Sequence, residues 1–246
     1  MDAVLFILTS FGYKELTLNL LKSLNKSHIN VDILIFCVDN ESKLYFDNLK
    51  YKTFKIDATK YMPNDYLDIL DFGSLYFQKI TYFKFIAMEL LLKTLPASIR
   101  YIIYIDGDIV VFRNFMPYIR QICDKKDTPA YLFQVDEEDI TISNNSSSHP
   151  CSGFIIVDRS KNLAQISPFE LDDKMWEKTE DQLYLQYKLQ KHKIPYFLLD
   201  RDLFQNGVYL KQDTWKNYTP FLIHYNWMMS DKKENTMKHN KHWYLE

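Results

Sequence analysis

Short apolar runs alternate with amphipathic stretches over the first 56 residues of the chain. Ala3–Leu8 and Val31–Val38 have the continuous apolar character of buried strands, and each ends on polar turn residues. Between them Lys14–Lys26 has leucines at helical spacing, and after them Glu41–Leu49 predicts a second helix and Tyr51–Ile56 a third strand. This order of strand, helix, strand, helix, strand favours a parallel sheet covered by helices, so the sequence predicts an α/β fold.

The rest of the chain continues the same alternation. Lys79–Thr94 and Asp181–Gln190 predict helices, and the polar stretches Asp57–Ser74 and Asp136–Pro150 predict loops, the second of them a mobile surface loop. The further apolar or strand-like segments are Tyr101–Ile105, Ile109–Phe112, Ala130–Val135, Cys151–Val157, Tyr196–Leu199 and Phe221–His224. Because no repeat or linker interrupts the pattern, we expect a single domain over residues 1–246.

Composition and charge exclude several classes of protein. The chain has 47% hydrophobic and 25% charged residues, as folded globular proteins do, and a formal net charge of −2. That balance argues against a protein that binds nucleic acid or an acidic membrane. The apolar runs are far shorter than the roughly 20 residues of a membrane helix, and Met1–Ala3 lacks the basic flank of a signal peptide. We therefore expect no integral membrane segment.

The cysteines indicate a reducing compartment. Cys37, Cys123 and Cys151 are widely spaced and form no Cys-x-x-Cys pair. We expect all three to be thiols and the protein to be cytoplasmic.

The most informative local motif is Asp106-Gly107-Asp108, which directly follows the apolar segment Tyr101–Ile105. Two carboxylates separated by a glycine can converge once the chain leaves extended geometry, and together they can hold a divalent ion and position a phosphorylated ligand. Apolar flanks strengthen this interpretation, because two buried charges need a counter-ion. The alternative is a polar β-turn.

Two further positions admit a ligand role and a structural one. His224 ends the apolar segment Phe221–Ile223 and is either a hydrogen-bonded structural residue or a metal ligand, which would favour manganese over magnesium. Lys232-Lys233 either places an ammonium beside a diphosphate or belongs to a solvated face. His239 and His242 are predicted to be surface residues.

Lys84, within a largely apolar predicted helix, and Asp181, at the start of another, each have two interpretations. Lys84 is the only charged residue between Lys79 and Glu89, so it either extends its ammonium to the surface or reaches into a ligand cleft. Asp181 opens a predicted helix and could simply cap its N-terminus.

Several motifs in a fixed order resemble the donor-site core of GT-A glycosyltransferases. They are Thr81-Tyr82-Phe83-Lys84, Tyr104-Ile105-Asp106-Gly107-Asp108 and Val110-Val111-Phe112-Arg113-Asn114. Further along, Phe204-Gln205-Asn206-Gly207 and His224-Tyr225-Asn226-Trp227, with Lys233 and Trp243 beyond them, resemble more narrowly the nucleotide-diphospho-sugar transferase family (glycosyltransferase family 77), which is related to glycogenin-type transferases. The resemblance extends from Thr9 to Trp243.

This resemblance implies a single GT-A (Rossmann-like) domain with a mostly parallel central sheet flanked by helices and a small antiparallel addition near the active site. Residues 1–112 would be the nucleotide-binding part, ending with the Asp-Gly-Asp motif, and residues 113–246 the acceptor side and the C-terminal metal- and phosphate-binding segment. The reaction implied is metal-dependent transfer of a sugar from a UDP-sugar to a hydroxyl of a glycan, glycoprotein or other acceptor. Nucleic acid is not expected as a partner.

The resemblance also implies roles for individual residues. Asp106, Asp108 and His224 would ligate manganese, with magnesium as a substitute. The residues implied to hold the nucleotide, diphosphate and sugar of the donor are Thr9, Phe11, Gly12, Tyr13, Asp39, Lys84, Asp106, Gly107, Ser152, Gly153, Asn226 and Lys233. Lys84, Asp181 and Gln182 would be the catalytic residues facing the sugar. The chain departs from the family at Ser230, where glycine is usual, and at Cys151, where a polar residue is common.

Relatives of this kind retain anomeric configuration, so the expected product is α-linked. Retention requires either a carboxylate nucleophile, for which Asp181 is the nearest candidate, or attack from the face that the leaving group occupies. We expect same-face attack, with the departing phosphate oxygen taking the acceptor proton. The loops Asp57–Ser74 and Asp136–Pro150 are the expected acceptor walls. Aromatic residues in and after the first loop could stack on a sugar or belong to the core: Tyr61, Tyr66, Phe72 and Tyr76.

Two other functions compete with this interpretation. Asp106–Val110 loosely fits the nucleophile motif of haloacid-dehalogenase phosphatases, but that motif normally follows the first strand, and no later acidic motif supplies a second metal ligand. The other alternative is a protein that binds a nucleotide-sugar without transferring it.

Overall fold

The computed structural model of the chain describes residues 2–57, 75–136, 149–171 and 179–245. These residues contain ten strands: β1 (Ala3–Thr9), β2 (Asp32–Cys37), β3 (Lys52–Lys55), β4 (Tyr101–Ile105), β5 (Ile109–Val111), β6 (Tyr131–Asp136), β7 (His149–Asp158), β8 (Tyr196–Leu198), β9 (Phe204–Gln205) and β10 (Leu222–His224). Their helices are α1 (Lys14–Lys26), α2 (Asn40–Asn48), α3 (Leu75–Thr94), α4 (Met116–Cys123), α5 (Asp181–Lys191), α6 (Gly207–Lys211) and α7 (Ser230–His239).

The central sheet has seven strands in the order β3-β2-β1-β4-β7-β6-β8. The first four run parallel, β7 runs antiparallel to both β4 and β6, and β8 is parallel to β6. Six strands therefore share one direction and β7 opposes them. This arrangement confirms the predicted α/β fold with a mostly parallel central sheet.

A second, three-stranded sheet in the order β5-β10-β9 confirms the expected small addition, in which β10 is antiparallel to β5 and parallel to β9. Its register pairs His224 with Ile109, the residue after the Asp-Gly-Asp turn. The Tyr225 backbone N–H also donates to the Asp108 carbonyl at 3.0 Å. The small sheet thus brings His224 beside the acidic turn although 115 positions separate Ile109 from His224 in the sequence.

Hydrophobic cores cover both faces of the central sheet. On one face Phe6 and Ile102 belong to a buried cluster with Phe85 of α3, and on the other Leu5 and Ile103 belong to a cluster that includes residues of α1 and α4. Strands that are buried on both faces have continuous apolar sequences, which is why β1 and β4 were recognisable without their surroundings.

The structure corrects several sequence-based boundaries. Asp136 is the last residue of β6, and His149 and Pro150 begin β7, so these three residues are not part of the predicted loop. Helix α3 begins at Leu75, four residues before its predicted start. The sequence analysis did not predict α4, β9, α6 or α7. The other residues of the two predicted loops, residues 58–74 and 137–148, lie outside the described residues, and so do Tyr61, Tyr66, Phe72 and the side chains of Tyr76 and Ser230.

The surface assignment of His242 is wrong. His242 is 5% exposed, and its ring packs edge-on against Phe112 and Trp215, each with ring centroids 4.7 Å away. Nδ1 of His242 lies 2.6 Å from the Tyr225 hydroxyl, and Asn19 of α1 donates to the His242 carbonyl at 3.1 Å. His242 therefore fixes the segment after α7 to the body of the fold.

Two further features concern the cysteines and the lengths of the helices. Cys37, Cys123 and Cys151 are buried and unpaired. Among the helices that the structure describes, none combines the length and the apolar character needed to cross a membrane.

Candidate active site

The acidic turn lies at the carboxyl end of β4, in the middle of the central sheet. Its first residue is held by a hydrogen bond from the Asp106 N–H to the Gly153 carbonyl of β7 at 2.8 Å. The Tyr104 hydroxyl, also on β4, donates to the Asp106 carboxylate. Ligand sites of open α/β sheets form at this edge, so the turn is positioned for binding.

Three side chains converge at this turn in the arrangement of a metal site. One ligand atom each from Asp106, Asp108 and His224 lies within 4.8 Å of the other two. His224 Nε2 is 3.2 Å from Asp108 Oδ1 and 3.6 Å from Asp106 Oδ2. His224 and Asp108 are buried, and the Asp106 side chain is partly exposed to the cleft. The structure thus brings together the three predicted metal ligands.

Gln134 of β6 determines which nitrogen of His224 faces the carboxylates. The Gln134 Nε2 group donates to the Gln205 carbonyl at 2.7 Å and to the Phe204 carbonyl at 3.2 Å. Its Oε1 must therefore be the atom that lies 3.0 Å from His224 Nδ1. Because an amide oxygen only accepts, Nδ1 bears a proton, and in the neutral ring the Nε2 lone pair faces Asp106 and Asp108.

Gly153 is the position where the backbone must pass closest to these groups. A Cβ at Gly153 would lie 2.2 Å from His224 Cε1 and 2.5 Å from Asp106 Oδ2. No larger residue fits without displacing both side chains, so the need for glycine here is steric rather than conformational.

Two lysines neutralise the acidic groups. Lys233 of α7 lies 2.6 Å from Asp108 Oδ2. Lys84 of α3 is 3% exposed, and its Nζ lies 2.8 Å from Asp181 Oδ2 and 3.8 Å from Asp106 Oδ1. Ser152 joins this network, since its hydroxyl donates to Asp181 at 2.6 Å. Lys84 therefore reaches into the cleft rather than to the surface.

The pKa shifts follow from burial and these charges. Burial raises the pKa of Asp106 above its usual value. Burial acts the same way on Asp108 and Asp181, but the Lys233 ammonium outweighs it at Asp108 and the Lys84 ammonium at Asp181, so the pKa of both carboxyls is lowered. The carboxylates of Asp108 and Asp181 are thus ionised at neutral pH, as metal binding by the first and charge pairing by the second require.

Asp136 forms a second polar centre at the end of β6. The Trp227 indole N–H donates to its Oδ1 at 3.0 Å, and the Asn226 amide donates to the same oxygen at 3.3 Å. The Gln182 amide donates to the other oxygen. Asp136 therefore links the chain after β10 to the first turn of α5.

These groups surround one cleft of about 580 Å³, within the usual size range of a small-molecule site. The predicted site residues that line it are Thr9, Tyr13, Lys84, Asp106, Gly107, Asp108, Ser152, Gly153, Asp181, Gln182, His224, Asn226 and Lys233. The cleft is also lined by Tyr104 and Trp227, which were not assigned to the site from the sequence, and by Asp136, the first residue of an expected acceptor wall.

Three predicted donor-binding residues lie outside the cleft lining: Phe11, Gly12 and Asp39. Asp39 is 1% exposed, and its carboxylate accepts hydrogen bonds from the Ser42 N–H at 2.6 Å and the Phe11 N–H at 2.8 Å. Asp39 is the N-cap of α2 and ties the loop after β1 to that helix. The Asp39 carboxylate thus positions the loop after β1, and its contact with the donor stays a prediction.

Gln134 and Asp136 had little signal in the sequence. Both lie in β6, in a segment without a distinctive local motif, and their hydrogen-bond partners are 46 to 91 positions away in the sequence. In the sequence, Trp227 is distinguished only as the last residue of the motif His224-Tyr225-Asn226-Trp227.

A family model named nucleotide-diphospho-sugar transferase matches residues 28–237 of the chain, which include all three converging ligands, both lysines and Asp181. The chain belongs to the nucleotide-diphospho-sugar transferase family. The family assignment gives the cleft its general chemistry, glycosyl transfer from a nucleotide-sugar. No curated protein matches the chain in sequence.

Solved glycosyltransferases have the same fold as this nucleotide-diphospho-sugar transferase. A galactosyltransferase, LgtC, in complex with donor and acceptor sugar analogs is 10% identical with a TM-score of 0.58, over 97% of this chain and 94% of that one. Mouse xyloside xylosyltransferase 1 is 12% identical with a TM-score of 0.57, over 92% and 98% of the two chains. The glycosyltransferase GlyE of Streptococcus pneumoniae TIGR4 is 11% identical with a TM-score of 0.54, over 99% and 65%. At such identities the likeness concerns the GT-A fold.

Proposed function

We propose that the protein is a metal-dependent, retaining glycosyltransferase that moves a sugar from a UDP-sugar to an acceptor hydroxyl with an α linkage. The observation that supports this most is the convergence of Asp106, Asp108 and the Nε2 lone pair of His224 beside Lys233 in a cleft. Three electron-pair donors and one fixed ammonium match a divalent ion and a diphosphate.

The residues fit a divalent cation by their chemistry. Two carboxylates and a neutral imidazole nitrogen are ligands that manganese accepts, and magnesium accepts the carboxylates more readily than the imidazole. Lone pairs facing one another at 3.2 and 3.6 Å are unfavourable without a cation between them. When bound, the ion would neutralise charge on the diphosphate leaving group. Asp106, Asp108 and His224 would hold it.

The remaining residues would bind and orient the donor. Lys233 would contribute a second positive charge to the leaving β-phosphate, because its Nζ lies beside Asp108. Lys84, Asp181 and Gln182 would orient the sugar through a network in which Lys84 fixes Asp181. Gly107 and Gly153 would line the donor site, where Gly153 also leaves room for His224 and Asp106.

The bond between the anomeric carbon and the β-phosphate oxygen breaks while a bond from that carbon to the acceptor oxygen forms. The acceptor proton goes to the departing phosphate oxygen, so UDP leaves from the face on which the acceptor enters. Asp181 already accepts hydrogen bonds from Lys84 at 2.8 Å and from Ser152 at 2.6 Å. These partners hold its charge and reduce its nucleophilicity, which favours same-face attack over a covalent intermediate on Asp181.

Two alternatives predict different turnover. A nucleotide-sugar binding protein would bind the donor without releasing UDP. A haloacid-dehalogenase phosphatase is disfavoured, because the acidic turn follows β4, the fourth strand along the chain, and the family match is to a sugar transferase.

The three unpaired thiols also favour a reducing, cytoplasmic location.

The test is a donor screen on the full chain. The protein is incubated with manganese and each of several UDP- and GDP-sugars, and the released nucleotide is measured before and after chelation. We expect UDP release from one UDP-sugar, its loss on chelation and its loss in Asp108→Asn. NMR of the transfer product should show an α linkage. Binding of UDP-sugars without release from any of them, with acceptors present, would support the binding protein instead.

A further inference from the structure

Trp227 has an unusual backbone conformation at the mouth of the cleft. It lies three residues after His224, lines the cleft and is 38% exposed. Its φ of 61° lies in the left-handed region, which favours glycine and asparagine and is rare for a bulky aromatic residue. Strain of this kind persists only where the surroundings hold it, and it is concentrated at functional sites.

The surroundings hold the edge of the indole ring and place the Lys211 ammonium over one face, 5.4 Å from the ring centroid, while 38% of the residue stays exposed. The indole N–H donates to Asp136, and Asn226 braces the same carboxylate. Asn226 is itself fixed, because its Oδ1 accepts from the Gly207 N–H at 2.7 Å and its carbonyl would lie 1.9 Å from a Cβ on Gly207. The indole N–H is thus bound to a carboxylate that Asn226 and Gln182 also hold.

The groups around the ring match the two kinds of surface that a sugar presents. A sugar ring has an apolar face of C–H groups and a rim of hydroxyls, so an aromatic plane beside hydrogen-bonding groups recognises it. Asp136 joins Trp227 to Gln182 of α5. Met228 and Met229 extend the apolar side of the cleft with flexible side chains, the second of them 55% exposed.

We propose that Trp227 is the platform on which the sugar ring of the acceptor stacks, so that the acceptor is a glycoside rather than an amino-acid hydroxyl alone. This rests on the proposed transferase function. The deep end of the cleft holds the charged residues Lys84 and Asp181, which suit the donor. Trp227 lies at the exposed end, from which the second substrate enters, and Asp136 and Gln182 connect the two ends.

The kinetic test compares Trp227→Ala and Trp227→Phe with the wild type. Each protein receives manganese, the UDP-sugar found in the donor screen and a panel of methyl glycosides of glucose, galactose and xylose. We expect the ratio of transfer to donor hydrolysis to fall about tenfold in Trp227→Ala, through a higher acceptor KM, and to recover in large part in Trp227→Phe. Trp243→Phe is the matched control, because Trp243 lies outside the cleft lining and should leave the ratio unchanged.

Binding is measured directly by fluorescence. The difference between the emission of the wild type and that of Trp227→Phe should respond to the best methyl glycoside in the presence of UDP and manganese. Transfer to none of the glycosides would contradict the proposal, and so would a Trp227→Ala variant whose donor KM rises while its acceptor KM stays the same. Absence of UDP release from the wild type would instead contradict the transferase function itself.

Discussion

The site depends on single atoms whose orientation is set by residues that never touch a substrate. His224 presents Nε2 to Asp106 and Asp108 while its Nδ1–H donates a hydrogen bond to Gln134 Oε1. Gln134 in turn cannot rotate its amide, because its nitrogen donates to two carbonyls of β9. A residue that is fully buried in a strand thus decides how a metal ligand is presented.

Replacing Gln134 should weaken metal binding without removing a ligand. In Gln134→Met the ring loses the acceptor that fixes its tautomer, and we expect manganese affinity to fall about 10- to 100-fold, as for other groups that orient a metal ligand. Titration calorimetry with manganese measures the affinity, and nitrogen NMR of labelled histidine reports the tautomer of His224.

The control is Gln205→Met, a second fully buried glutamine, whose amide donates to Asp202 and not to His224. Equal losses of affinity in both variants would show that general destabilisation, not the orientation of His224, explains the effect.

At the scale of elements, two helices are joined through a buried charge pair. Lys84 of α3 and Asp181 of α5 are 2.8 Å apart, with side chains 3% and 12% exposed. Lys84 also balances Asp106 of the turn after β4. Removing one member of such a pair leaves an uncompensated buried charge.

We expect Lys84→Met to lower the free energy of unfolding by about 3–5 kcal/mol. The double variant Lys84→Met/Asp181→Leu should be more stable than the sum of the single effects predicts, and denaturant titrations of the four proteins measure the coupling. Lys93→Met on the same helix, where the side chain is 73% exposed beside Glu89, should change stability by less than about 0.5 kcal/mol. Additive effects at Lys84 and Asp181 would contradict the pairing.

The segment after α7 gives the fold an acid-sensitive element. Burial lowers the pKa of His242 from 6.5 to about 4. Between those values the unfolded chain binds a proton that the folded chain does not, so the stability contributed by neutral His242 is lost as the pH falls through this window.

This loss should be measurable between pH 7 and pH 5, above the range in which most carboxyls titrate. We expect the wild type to lose about 1–2 kcal/mol more than His242→Asn across that interval, since asparagine does not titrate there. Identical pH dependence in urea unfolding of the two proteins would show that His242 is not the acid-sensitive group.

At the scale of the whole molecule, the order of the elements could be predicted from the sequence where strands are buried on both faces of the sheet. β1, β2, β4 and β7 are covered on both faces and therefore have apolar sequences. α4 has eight residues with a proline in its first turn, and β9 has two residues, so neither has a periodic pattern long enough to recognise.

The site residues that could be predicted are those whose chemical group stands at an informative position in the sequence. The acidic turn directly follows a buried strand, and Lys84 is the only charged residue between Lys79 and Glu89 in a largely apolar helix. Asp39, which the resemblance implies in donor binding, is the N-cap of α2 in the structure. The roles of Gln134 and Asp136 depend on the pairing of β6 with strands and loops far along the chain, which local patterns do not contain.

The most direct measurement of the central claim is the metal dependence of UDP binding. Calorimetry is performed with the wild type and with Asp108→Asn, each in manganese and after chelation. We expect UDP to bind the wild type only with manganese and to bind Asp108→Asn at least about tenfold more weakly, since this variant loses a charged ligand and the partner of Lys233. UDP binding that is equally strong after chelation, or no UDP binding with manganese present, would contradict the assignment of Asp106, Asp108 and His224 as the metal site of a UDP-sugar transferase.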